Sequence, residues 1–170
     1  MSAKNIISVG KFDGFCWVRC NSKGNFQNSP VVKTWLEEQV AAGIKTVVID
    51  LETCTGMDST FMGNLAGMAM KLTESGGGLQ LADASEKCVS LLEDLGLSPL
   101  METNPPNAAW EEAKEHIREQ LEVIDSDLSG SNAEHVYETH KKLCEVDTQN
   151  EEKFNSVLEC LEAELYNKKK

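Results

Sequence analysis

The apolar positions fall into short strand-like runs that alternate with stretches of helical spacing. Residues 5–10 and 14–20 are two such runs, and Asp13-Gly14 between them suits a tight hairpin. Cys16, Val18 and Cys20 share one face of the second run; Phe15, Trp17 and Arg19 share the other. Residues 21–28 read as a polar loop. Ser29-Pro30 then opens a helix, serine as N-cap and proline at its first position, with Val32, Trp35, Leu36 and Val40 as buried face. Gly43 stands where a C-terminal cap needs positive φ. The β-branched run at 46–51 predicts a buried strand, and Thr53-Cys54-Thr55-Gly56 a turn. Asp58 or Ser59 can cap the next helix, whose apolar face is Phe61, Met62, Leu65, Ala66, Ala69 and Leu72. Ser75 to Gly78 ends it, and residues 79–82 make another strand. Ser85 caps a third helix bearing Val89, Leu92 and Leu95, which Gly96 ends. Residues 97–102, with Pro99 near the start, read as a last edge strand. This order predicts an α/β fold with a mixed, mostly parallel sheet covered by helices.

Asn104-Pro105-Pro106-Asn107 breaks the composition and sets a boundary between a domain at 1–104 and an extension at 105–170. The extension reads as helical throughout, ending in a helical hairpin. Trp110, Ala113, Ile117, Leu121, Ile124 and Leu128 form one stripe, and Ser129-Gly130 stops it. Ser131-Asn132-Ala133-Glu134 is a capping-box pattern. Beyond it Val136, His140 and Leu143 make one apolar patch. Phe154, Val157, Leu158, Leu161 and Leu165 make a second, with the polar residues 147–150 between them.

Charge and composition narrow the function. The 170-residue chain carries a net charge of −12, and residues 107–170 hold −8 of it. Such a surface repels phosphate backbones and anionic lipid, which disfavours nucleic-acid and membrane partners. No apolar run approaches a membrane span, no export signal opens the chain, and the six cysteines lack zinc-like spacing. The expectation is a cytoplasmic protein with reduced thiols. His135 and His140 are five apart, a poor spacing for metal ligands on one helix face, and His116 sits in a solvated acidic run. Gly76-Gly77-Gly78 follows a helix and has no lysine after it, so it is a turn and not a phosphate cradle. No metal, cofactor or catalytic function is indicated.

One segment carries a family resemblance. Val47-Val48-Ile49-Asp50-Leu51, a short loop and Asp58-Ser59-Thr60-Phe61-Met62-Gly63-Asn64-Leu65 resemble the central signature of the STAS domain. Leu95-Gly96-Leu97 through Leu100 is similar to its closing segment, so the likeness spans about residues 5–103. Phe61 stands where the family usually has glycine, and residues 21–27 lack its usual Leu-Asp pattern. The resemblance implies a non-catalytic regulator of the anti-sigma factor antagonist type. Its phosphorylation site would be Ser59, with Thr60 as the alternative acceptor. Its partner surface would be Asp58, Ser59, Thr60, Phe61, Met62 and Gly63. The implied partners are an anti-sigma factor that is also a serine kinase, and an opposing phosphatase. A phosphate brings about −1.5 to −2 charges and would be tolerated at a helix N-terminus, so the expected switch is loss of a partner and not unfolding. Read as a plain structural feature, Asp58-Ser59 is only a cap. A second functional reading makes the core a platform and the C-terminal helices the partner-binding or self-associating part. A third is a small-ligand-binding variant.

Overall fold

The computed structural model describes residues 6–124 and 133–168. Ser129-Gly130 and the first half of the capping-box pattern, Ser131-Asn132, lie outside them. The hairpin forms as its turn residues demand: β1 (Ile7–Phe12) and β2 (Phe15–Cys20) pair antiparallel, with Phe12 opposite Phe15 and Gly14 at φ +88°. Strands β4 (Thr46–Asp50) and β6 (Gly78–Ala82) extend the sheet in parallel with β2, and β7 (Met101–Thr103) closes that edge. On the other edge β8 (Glu122–Ile124) pairs antiparallel with β1. The order across the sheet is β7-β6-β4-β2-β1-β8.

Alternation along these strands sends side chains to two different cores. Ile7, Cys16, Val18, Val47, Ile49 and Leu81 face helices α1 (Ser29–Ala41), α2 (Ser59–Glu74) and α3 (Glu86–Asp94). Trp17, Val48 and Ala82 face the opposite way and are covered by Trp110 and Ile117. The indole rings of Trp17 and Trp110 meet edge to face at 5.2 Å. Gly43 caps α1 at φ +101°.

The structure corrects four local expectations. Ser29 does not cap α1: Asn28 holds that position, and its side chain bonds the preceding loop instead. The polar stretch after β2 contains β3 (Ser22–Gly24), and the turn before α2 contains β5 (Cys54–Met57). These two form a separate parallel pair, made by backbone groups and invisible to a hydrophobic pattern. Before β7 the chain makes a 3-10 turn at Ser98–Leu100. The stripe from Trp110 is not one helix. It is a 3-10 turn, then α4 (Lys114–Glu119), then β8, because β1 has an open edge whose backbone groups need partners and Val123-Ile124 suits a strand. The helical hairpin is formed by α5 (Ala133–Val146) and α6 (Gln149–Lys168).

Candidate functional site

Helix α2 begins at a cap that also fastens the preceding loop. One carboxylate oxygen of Asp58 accepts from the Phe61 N–H at 2.9 Å, the other from the Phe26 N–H at 2.8 Å. Asp58 is therefore the cap, which leaves the Ser59 hydroxyl free for another use. Ser59 is half-buried, and its Oγ lies 2.8 Å from Nε2 of His140 on α5. The other ring nitrogen of His140, Nδ1, lies 2.7 Å from the Val136 carbonyl oxygen. A carbonyl only accepts, so Nδ1 carries the hydrogen, and in the neutral ring Nε2 is the acceptor. The Ser59 hydroxyl thus donates to His140. The imidazole is buried and meets the Phe154 ring edge to face at 4.9 Å.

The other predicted site residues lie mostly inside. Thr60 is 4% exposed. Phe61 is fully buried, and a Cβ on Gly24 would fall 2.5 Å from its ring, so the phenyl group fills the space over β3. Met62 is 5% exposed. Gly63 lets α5 ride on the α2 backbone: a Cβ there would come within 2.4 Å of the Thr139 carbonyl oxygen. Asp58 and Ser59 are the two residues of this set that reach solvent.

A second serine–histidine contact lies beside the first. Ser29 Oγ, fully buried at the start of α1, is 2.8 Å from His135 Nε2. Asn64 on α2 donates to the Ser29 carbonyl at 3.0 Å and ties the two helix starts together. Burial, with a smaller contribution from Lys33, holds His135 down at about 4. Unfolding releases it to 6.5. Between these values the unfolded chain binds the extra proton, so stability falls as pH drops through that window. The full difference is worth roughly 3 kcal/mol. Urea unfolding between pH 7 and 4 is expected to show this slope, and His135→Gln to flatten it. Equal slopes in the two proteins would exclude the assignment.

His135 and His140 are spaced poorly for metal ligands on one helix face. They are instead the means by which α5 takes up the hydroxyls at two helix starts. The available signal was His140 lying within an apolar patch, where a polar group needs a buried partner. Among the described residues no three His, Cys, Asp or Glu side chains converge to hold a metal. No helix there is long and apolar enough to cross a membrane. Cys16, Cys20, Cys54 and Cys88 are buried free thiols, and Cys160 is exposed.

The capped loop between β5 and α2, set on this sheet, can be compared with known proteins. The family model of the STAS domain matches residues 7–113. The chain belongs to the STAS family. The STAS match extends past Pro106 to the segment that carries Trp110. Solved structures share the fold. An anti-sigma factor antagonist from Mycobacterium paratuberculosis matches at 21% identity and TM-score 0.55, over 69% of this chain and 99% of its own. The anti-sigma factor antagonist SpoIIAA in its unphosphorylated form matches at 19% identity and TM-score 0.54, over 66% and 96%. The Bacillus cell fate determinant SpoIIAA in its phosphorylated form matches at 19% identity and TM-score 0.51, over 66% and 99%. A comparison with curated protein sequences finds no match.

Proposed function

We propose that this STAS protein is a non-catalytic regulator of the antagonist type, binding an anti-sigma factor that is also a serine kinase and switched by phosphorylation at Ser59. The observation that supports this most is the position of Ser59. It is the first residue of α2, half-buried beyond a cap made by its neighbour, and its hydroxyl bonds His140 and does not hold the helix. Free N–H groups and the helix dipole there would accept a phosphate without loss of fold. Asp58 beside it would be repelled, as would a helix resting on this surface. Thr60 is enclosed, so Ser59 is the acceptor we favour. A phosphatase completes the cycle. The partner surface is Asp58 and Ser59, the residues of this set that reach solvent; Met62 is 5% exposed and Gly63 lies under Thr139 of α5.

A second reading, an assembly module working through its C-terminal helices, draws on α6. Val157 is 39% exposed and Tyr166 64%, and Leu158, Leu161 and Leu165 are only partly covered. Self-association through this face is its simplest form.

The test is affinity capture from native lysate with wild type, Ser59→Ala and Ser59→Glu as baits, read by mass spectrometry. The expected result is an ATP-binding kinase-like protein retained by Ser59→Ala and released by Ser59→Glu. Identical captures from all three baits, with no phosphate on Ser59 or Thr60 of the native protein, would overturn the reading. Attention would then move to α6.

A further inference from the structure

We propose that helix α5 is a built-in cover for the N-terminal face of α2, and that phosphorylation of Ser59 releases it. This rests on Ser59 being the acceptor, and adds that the chain supplies its own competitor for the partner surface.

The contact uses the hydroxyl hydrogen of Ser59, which a phosphate ester no longer carries. His140 is held on three sides, by the Ser59 hydroxyl, by the Val136 carbonyl and by the Phe154 ring. An ATP-dependent serine kinase would transfer the γ-phosphoryl group to Oγ. An O–P bond forms, the bond to ADP breaks and the hydroxyl proton passes to a base of the kinase or to water. The donor that His140 Nε2 accepts from is then gone, and phosphate oxygens stand where the imidazole packs. Nδ1 stays committed to the Val136 carbonyl, so only Nε2 faces the phosphate oxygens, and the ring must take up a proton or move away.

The rest of the interface favours departure. Of the five buried residues on α5, three are polar: His135, Thr139 and His140. Ala133 and Leu143 are the apolar ones. A face built this way gains modestly from each hydrogen bond, because water supplies equivalents once the helices separate. The hairpin is also acidic, with nine carboxylate and four basic side chains between Ala133 and Lys168, so the new charge repels it. The turn end stays anchored. Asn150 Nδ2 donates to the carbonyls of Leu95 and Leu143 at 2.9 and 2.8 Å, and Lys153 bonds the Asp94 carbonyl. Helix α5 therefore swings from that end and uncovers Met62, Gly63 and Gly67. Bare glycines four apart suit a partner helix that crosses closely with small or polar residues, as α5 does with Thr139.

The full-length chain with phosphoserine installed at position 59 is compared with the unmodified chain by amide hydrogen exchange. We expect about tenfold faster exchange, or more, across α5, with β4 and β6 unchanged. Unchanged protection of α5, or equal acceleration across the sheet, overturns the proposal. A second form carries Gly67→Cys and Lys142→Cys, with Cys144→Ser and Cys160→Ser. A Cβ on Gly67 lies 3.6 Å from Lys142 Cγ, so a disulfide there holds α5 down. Phosphoserine should release α5 in this form only after reduction, and equal exchange before and after reduction counts against the cover. Partner capture is scored separately. Fast exchange with identical captures from all baits supports the cover and removes the partner reading. Slow exchange with selective capture does the reverse.

Discussion

Arg118→Met is expected to lower stability by roughly 3–5 kcal/mol, the range for removing one partner of a buried ion pair. Asp50 ends β4 with no solvent exposure, on the face that Trp17 and Trp110 share. It accepts from Trp17 Nε1 at 3.0 Å, Arg19 at 2.8 Å and the Glu52 N–H at 3.1 Å. Arg118 reaches in from α4 and grips both carboxylate oxygens, at 2.8 and 3.1 Å. Its remaining N–H groups bond Asp83 at 2.7 Å, Glu52 at 3.0 Å and Glu115 at 3.1 Å. Methionine fills similar space, leaves Asp50 and Glu52 to Arg19 and Asp83 to Lys114, and takes one partner from Glu115. Burial pushes the Asp50 carboxyl up, but hydrogen bonds from Arg118, Glu52 and Arg19 outweigh this and hold it below its usual 3.8. The stabilisation is therefore present above 3.8 and lost as pH falls through the native value. The gap between wild type and variant should be full at pH 7 and narrow in strong acid. Arg118→Lys should not restore it, because an ammonium cannot make the fork. Chemical denaturation of all three proteins at both pH values is the check, and a loss below about 1 kcal/mol at pH 7 would show the network to be dispensable.

Phe61→Ala is expected to cost about 3–5 kcal/mol, as for other buried phenylalanines. The ring is fully buried where the loop from β2 crosses the start of α2, and Gly24 is the residue that makes room for it. Gly24→Ala would place a methyl group 2.5 Å from the ring and should cost about 1–3 kcal/mol in wild type. Combined with Phe61→Ala it should cost much less, since the alanine methyl enters the space the ring leaves. Thermal or urea unfolding of the four proteins gives the coupling directly. Simple additivity would mean that Phe61 and Gly24 do not share this space. The pair accounts for the bulky residue in the family signature: Phe61 turns inward, into the space over Gly24.

Much of the core was legible because local periodicity and burial agree there. The alternation of Cys16, Val18 and Cys20 against Phe15 and Trp17 places these side chains on opposite faces, and the two cores divide along that line. Gly14 and Gly43 stand at positive φ as their turns require. Asp58 could be read as a cap from its place before an apolar helix. The motif around Ser59 pointed to the family, and the family model bears it out.

What the chain does beyond residue 104 was harder to read. Trp110 to Ile124 has helical spacing, yet β1 had an edge to fill and Trp17 a ring to cover, so that segment became α4 and β8. Val136, His140 and Leu143 marked the buried side of α5 but not its partner.

The sequence by itself determined β1, β2, β4 and β6, the helices α1 to α3, a cap at Asp58 or Ser59 and the residue offered at Ser59, because each depends on neighbours within a few positions. Tertiary structure alone decided that Asp50 needs Arg118, that Phe61 needs Gly24 and that Ser59 faces His140. These pairs stand 68, 37 and 81 residues apart in the chain, and no local pattern reports a contact that exists only once the sheet and its helices have packed.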